Sequence, residues 1–245
     1  VITGKPLPLG GSEGRSDATA RGGIYATREA ARELGVDLAG KPMAVQGFGH
    51  VGQTAALLGH EILGLKLVAA SDSKGGIHNP KGLDPRAVVD YKHRTGSLQG
   101  FPGAEPIDTG AVLELPVALL FPAALENVIT VENAARIKAR ICCELANGPT
   151  TPDADAILSD NGVFVVPDFL ANAGGVTVSY FEQVQNTYNF YWPLSEVHQR
   201  LDEKMTRAFS GVYQMHTREK VNMRLAAYLV AVARVAEACK LRGWV

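Results

Sequence analysis

An α/β fold with a mostly parallel sheet and helices on both faces is predicted by three observations. An apolar run over Met43–Gln46 stops at Gly47-Phe48-Gly49-His50-Val51-Gly52, and a helical pattern starts at once. Short apolar runs then alternate with helical patterns as far as Gly175. Beyond Gly175 the strand signals cease and three helical patterns follow. Apolar strands separated by helices belong to a parallel sheet covered on both faces. With a G-x-G-x-x-G after the first strand, the sheet is of the Rossmann-type, doubly wound kind. Three segments are expected: an N-terminal loop and helix over 1–35, the Rossmann domain over 36–175, and a helical element over 176–245 packed on it.

Residues 1–14 are rich in Gly and Pro and read as a loop. Ala20, Ile24, Thr27, Ala31 and Leu34 recur at helical spacing from Asp17 to Leu34, and Gly35 ends that helix. Strand one is about 43–46, its helix about 51–63, and strand two about 67–71. Gly75-Gly76, Asn79-Pro80 and Gly82 mark a turn-rich excursion. Pro85 opens a short helix to about Arg94; residues 96–108 read as irregular, and Leu113-Glu114-Leu115 ends another short helical pattern. Val117–Phe121 is a buried strand stopped by Pro122. Thr130 caps a helix to about Ala139, and Ile141–Leu145 is the next strand. Thr151-Pro152-Asp153 is a helix start, with an N-cap hydroxyl followed by proline and an acid. Gly162 closes that helix, and Val163–Val166 is a strand. The final helices run over about 176–185, 195–217 and 223–242. The last is apolar nearly all round from Ala226 to Val232, which predicts burial on most sides.

The chain has 245 residues, 46% of them apolar, and a net charge of −1 with no basic block. That suits one large domain, or a domain with a subdomain, around a sizeable core. It argues against affinity for nucleic acid through phosphate neutralisation. The longest apolar stretch, Leu225 to Ala233, is too short to span a bilayer, so no membrane partner is expected. Of three cysteines, Cys142 and Cys143 are adjacent in a buried strand, which reads as core packing in a reducing, cytoplasmic setting. No histidines stand at ligand spacing, so no metal is expected.

The glycine fingerprint carries the chemistry. Gly47 permits the tight turn, Gly49 leaves room for a pyrophosphate at the backbone, and Gly52 lets the helix lie close on the sheet. Phosphates would face the helix N-terminus, where free N–H groups and the positive dipole end collect anions. Asp72 stands twenty positions past Gly52, where such a unit places the carboxylate that accepts from the adenosine ribose. Together these imply a small-molecule dinucleotide, NADP or NAD. Blander readings stand beside the functional ones. Asp72 taken alone could be a turn residue, Arg15 a solvated arginine, His50 a surface residue, Asn172 a capping asparagine and Ser179 an ordinary helix serine. Phe190-Tyr191-Trp192 reads as core or interface packing.

The stretches Thr3-Gly4-Lys5-Pro6, Gly10-Gly11-Ser12-Glu13-Gly14-Arg15, Ala18-Thr19-Ala20-Arg21-Gly22, Ser71-Asp72-Ser73-Lys74-Gly75-Gly76, Ala146-Asn147-Gly148-Pro149, 167–176 and Ser179-Tyr180-Phe181-Glu182 occur in an order that resembles the cofactor-binding half of the glutamate dehydrogenases, within the amino-acid dehydrogenase family. The resemblance implies reversible oxidative deamination of L-glutamate to 2-oxoglutarate and ammonia by hydride transfer. It implies that Thr19 and Asn172 hold the nicotinamide carboxamide, with Ala146 and Asn147 near its ribose. Gly47, Phe48, Gly49, His50, Val51 and Gly52 would line the phosphates, and Asp72, Ser73 and Lys74 the adenosine ribose. Arg15 and Ser179 become substrate-side contacts. An acid at position 72 favours NAD; Lys74, and the likeness of Ser-Asp-Ser-Lys-Gly-Gly to family members that use it, favour NADP. In the family the catalytic lysines and aspartate lie in a domain preceding the stretch like Thr3–Pro6. An isolated cofactor domain without catalytic residues is therefore expected, from a protein that is a homo-oligomer when full-length. The alternatives are a related amino-acid dehydrogenase with another substrate and a non-catalytic dinucleotide-binding or subunit-interaction module.

Overall fold

A strand shielded from water along nearly its whole length organises the sheet. In β1 (Pro42–Gln46), Met43, Ala44 and Val45 have no exposed surface. β1 pairs in parallel with β2 (Lys66–Asp72) on one edge and with β5 (Leu119–Pro122) on the other. β6 (Ile141–Cys143) and β7 (Phe164–Val166) extend the parallel array beyond β5. Beyond β2 lie two antiparallel strands, β3 (Gly75–Leu83) and β4 (Glu105–Ile107). The seven strands run in the order β4-β3-β2-β1-β5-β6-β7. The structure, a computed structural model, describes residues 2–244; Val1 and Val245 of the expected terminal segments lie outside the described residues.

Strand periodicity divides the core into two faces. Met43 and Val45, Leu119 and Phe121, and Ile141 and Cys143 join one apolar cluster. Their neighbours Ala44, Leu120 and Cys142 join the other. Successive strand side chains point to opposite faces, so both sets can be apolar only in a sheet covered on both sides. The first face is covered by α1 (Ala18–Glu33), α2 (His50–Leu63), α6 (Gly174–Tyr188) and α7 (Leu194–Glu219). The second is covered by α4 (Pro152–Asp160) and the segments around Val112, Ile129 and Ala134. α3 (Pro85–Thr95) begins with Pro85 after Asp84, whose side chain accepts from the Arg86 N–H. It ends at Gly96 with φ +73°, a C-cap that glycine adopts without strain. The four-residue α5 (Asp168–Ala171) follows β7, and α8 (Met223–Leu241) closes the chain. No described helix is long and apolar enough to cross a membrane.

Three expectations change. The excursion after strand two is β3, and the segment expected to be irregular contains β4. The helix expected from Thr130 to Ala139 is a set of turns around a one-turn 3-10 helix, Ala134–Arg136. There the Asn133 side chain donates to the Val128 carbonyl and accepts the Thr130 N–H, so it competes with helical backbone bonds. The third change is α8. Met223, Ala226 and Ala227 are buried, whereas Tyr228, Leu229, Val232 and Val235 are exposed. α8 packs on α7 and β7 through its first turns, and its outer side has no cover among the described residues.

α1 and α6 cross where both are glycine. A Cβ on Gly174 would lie 2.0 Å from the Ala18 carbonyl oxygen, and one on Gly22 would lie 2.8 Å from the Gly174 Cα. Neither neighbour is a flexible side-chain end. Gly174→Ala is therefore expected to force the helices apart and to lower stability by about 1–3 kcal/mol. Denaturant unfolding of the pair measures it, and an unchanged midpoint would show that the crossing has slack.

Candidate functional site

The carboxyl ends of the parallel strands share one edge of the sheet. Between β1 and β5 the chain order reverses, and open α/β sheets form a crevice at such a switch point. The glycine turn stands there. Gly47 takes φ +94°, and a Cβ on it would collide with Ala124, just past β5. The Gly47 and Phe48 N–H groups both donate to the Ser71 carbonyl, at 2.9 and 2.7 Å, which ties the turn to β2. A Cβ on Gly52 would lie 2.0 Å from the Gly47 carbonyl oxygen, so the first turn of α2 lies directly on the strand end. Gly49 is different: it is exposed, and a Cβ there would meet nothing within 4 Å. It is the N-cap of α2, and no side chain caps it. The first-turn N–H groups of a helix have no intrahelical acceptors. Phe48 is buried, Val51 half-buried and His50 exposed. His50 Nε2 lies 2.7 Å from the Ser16 carbonyl, linking the turn to the N-terminal loop.

At the end of β2, Asp72 is engaged on every side. Its Oδ1 accepts the Lys74 N–H at 2.8 Å; its Oδ2 accepts the Leu98 N–H at 2.9 Å and the Lys92 ammonium. Only 5% of its side chain is exposed. Burial pushes this carboxyl up, but Lys92 and the two amides outweigh burial and hold it below its ordinary value of 3.8. The sequence suggested a carboxylate open to a ribose. The structure holds one turned inward that fixes the β2–β3 turn, with Ser73 and Lys74 exposed beside it.

Past β6, Ala146 is buried, Asn147 is exposed, and Asn147 Oδ1 accepts from Asn172 Nδ2 at 2.7 Å. Thr19, on the first turn of α1, faces the start of α6: a Cβ on Gly175 would lie 2.5 Å from its Oγ1 and 3.9 Å from Arg15 Nη1. Arg15 Nε donates to Ser179 Oγ at 2.9 Å, and Thr3 Oγ1 donates to the same oxygen at 3.0 Å. Glu182, one turn further along α6, is buried. It accepts the Gly4 N–H at 2.8 Å, the Lys5 N–H at 3.4 Å and the Lys5 ammonium. Burial raises this carboxyl, but Lys5 and the two amides outweigh burial and hold it below its ordinary 4.5. Arg15, Thr19 and Ser179 thus lie together where the N-terminal loop meets α6, and Asn147 and Asn172 form a second pair.

The model of the Glutamate/Leucine/Phenylalanine/Valine dehydrogenase family matches residues 10–243. The chain belongs to this family. It is 51% identical over 243 residues to a glutamate dehydrogenase of Thermotoga maritima, covering 99% of this chain and 58% of that protein. It is 47% identical over 244 residues to a cryptic catabolic NAD-specific glutamate dehydrogenase of Bacillus subtilis, covering 100% and 57%. Among solved structures, the hetero-hexameric glutamate dehydrogenase of Thermus thermophilus in its leucine-bound form superposes with a TM-score of 0.93 at 37% identity, covering 99% of this chain and 57% of that one. That of Peptoniphilus asaccharolyticus gives 0.85 at 38% identity, covering 99% and 57%. The chain spans somewhat over half the length of these dehydrogenases.

Sequence reasoning overlooked the groups that hold these residues in place. Lys92 and Leu98 on Asp72 are twenty or more positions away, with no local signal. A second support lies under the Asn147 loop. Arg224, on the first turn of α8, reaches Glu144 at 2.7 Å, Asp155 at 3.0 Å and Asp168 at 3.2 Å. Glu144 has no exposed surface. Burial raises its carboxyl above the ordinary 4.5, with Arg224 opposing.

Asp72 yields a pH signature. Its folded-state value is depressed, so its pairing stabilises the fold above the unfolded value near 3.8 and fades as pH falls through the lower folded value. Asp72→Asn is expected to be less stable than the parent near neutrality, with the difference shrinking below about pH 4. Urea unfolding at pH 7 and pH 3 checks this; a difference independent of pH would contradict the pairing.

Proposed function

We propose that this chain is the dinucleotide-binding part of a glutamate dehydrogenase and takes NADP or NAD in the crevice at the ends of β1 and β5. The observation that carries the reading is the open space at Gly49, which any side chain would fill, beside an α2 N-terminus without a side-chain cap. The residues present fit the group. Gly47–Gly52 would receive the pyrophosphate. Ser73 and Lys74 would meet the adenosine ribose on a turn fixed by Asp72. Thr19, Asn147 and Asn172 would take the nicotinamide end, with Ala146 beneath them. When bound, the dinucleotide supplies the hydride-transfer chemistry, and the protein supplies position and charge. The names of relatives such as the Bacillus subtilis enzyme support NAD, and the exposed Lys74 would tolerate the extra phosphate of NADP.

Arg15 and Ser179 are proposed to face the substrate, L-glutamate or 2-oxoglutarate. The acid one turn along α6 from Ser179 is already committed: Glu182 is held by Lys5. Proton-transfer groups would come from the part of the relatives' length that this chain does not match. Subunit assembly would follow the relatives, one of which is hetero-hexameric by its description.

Calorimetric titration with NADH and NADPH tests the reading. The chain is expected to bind at least one of them. Gly49→Val is expected to weaken binding tenfold or more while circular dichroism stays unchanged, because its side chain enters open space rather than the core. Equal affinity in the variant would show that the glycines serve only the turn.

Turnover separates this reading from its alternatives. General acid–base help is worth roughly 10²–10⁴-fold. The 245-residue chain is therefore expected to oxidise glutamate at no measurable rate. Near-normal glutamate turnover would overturn the binding-only reading, and turnover of leucine, phenylalanine or valine instead would reassign the substrate.

A further inference from the structure

Asp168 anchors both asparagines of the nicotinamide end. Its Oδ2 accepts the Gly148 N–H at 2.8 Å, fixing the residue after Asn147. Its backbone carbonyl accepts the Asn172 N–H at 2.8 Å. Its own N–H donates to Glu144 Oε2 at 3.0 Å, so the hub is seated on the end of β6. The remaining carboxylate oxygen of Asp168 receives Arg224 Nη1. The same guanidinium donates to Glu144 Oε1 through Nη2 and to Asp155 Oδ1 through Nε. One planar fork thus holds carboxylates from the end of β6, from α4 and from α5. A lysine ammonium, as a point charge on a flexible stem, does not reproduce that geometry. Losing the fork would leave the fully buried Glu144 without its cationic partner.

From this geometry we propose that Arg224 is a positioning residue for the nicotinamide end of the crevice: by gripping Asp168 from α8, it sets the 146–148 loop and α5 so that the Asn147–Asn172 pair keeps its place. The inference rests on the reading of the crevice as a dinucleotide site. It makes the start of the C-terminal helix, which touches none of the proposed ligand contacts, a determinant of one half of that ligand. The adenosine half depends on β1, β2 and α2, which Arg224 does not contact, so the two halves are separable by experiment.

The probes are NADH and ADP-ribose, titrated into the intact chain, with melting temperature recorded alongside. Arg224→Lys is expected to weaken NADH about tenfold and to leave ADP-ribose within about twofold. Asp168→Asn keeps an acceptor for the Gly148 N–H but loses the charge that Arg224 grips; it is expected to shift the same ratio, and it serves if Arg224→Lys does not fold. Leu158→Ala opens a cavity in α4 beside the cluster; it is expected to lower the melting temperature without moving the ratio. Parallel loss of both probes, an unchanged ratio in folded Arg224 and Asp168 variants, or a ratio that moves equally with Leu158→Ala would overturn the inference. A parent chain that binds neither probe would overturn the dinucleotide reading and this inference with it.

Discussion

The close approach of α2 to the end of β1 is the constraint on which the rest of the site depends. Gly52 has no room for even a methyl group against the Gly47 carbonyl. Glycine there lets the helix lie directly on the strand end, and its first turn opens into the crevice. Ser71 closes the arrangement from the neighbouring strand, because one carbonyl accepts both turn amides. Gly49 is then left facing open space while its two companions are locked. Three glycines that look alike in the sequence thus do three things, and only one of them is free to face a ligand.

Around this constraint, buried carboxylates act as staples for chain segments. Asp72 gathers the turn after β2, the last turn of α3 through Lys92 and the segment at Leu98. Glu182 gathers the N-terminal loop onto α6. Glu144, Asp155 and Asp168 gather β6, α4 and α5 around Arg224. In each case a charge out of water is matched by a cation or by backbone N–H groups, which is the condition for burying it. The balance differs between them. Asp72 and Glu182 have enough donors to fall below their ordinary values, whereas for Glu144 burial outweighs Arg224.

The parallel half of the sheet was legible because its strands are apolar on both faces and three of them, β1, β5 and β7, stop at glycine or proline. β3 was not. Gly75, Gly76, Asn79, Pro80 and Gly82 are poor strand formers, yet the antiparallel partner β2 draws them into the sheet. Pro80 is tolerated because the pairing is irregular between Ala69↔His78 and Leu67↔Leu83, and no ladder bond is required of it there. α8 misled for the opposite reason. Its all-round apolar character says what it can bury, and only tertiary placement decides which side is covered. At the site, the glycine turn was legible in the residues themselves, whereas Asn147 and Asn172 were named only through the family resemblance; the structure brings their side chains within 2.7 Å. Whether the Asp72 carboxylate faces inward or outward was not legible, since Lys92 and Leu98 reach it only after α3 has folded back.

The cysteines of β6 have a practical consequence. Cys142 and Cys143 are fully buried, and burial lifts the Cys143 thiol to about 12 and Cys142 well above its ordinary value. The thiolate is the reactive form, so these two are chemically silent while the fold is intact. Cys239, partly exposed on α8, is the remaining thiol. The unmodified chain therefore carries a single attachment point for a dye or spin label, and that point sits on the helix whose first turn bears Arg224. The appearance of two additional reactive thiols would report the opening of the central sheet itself.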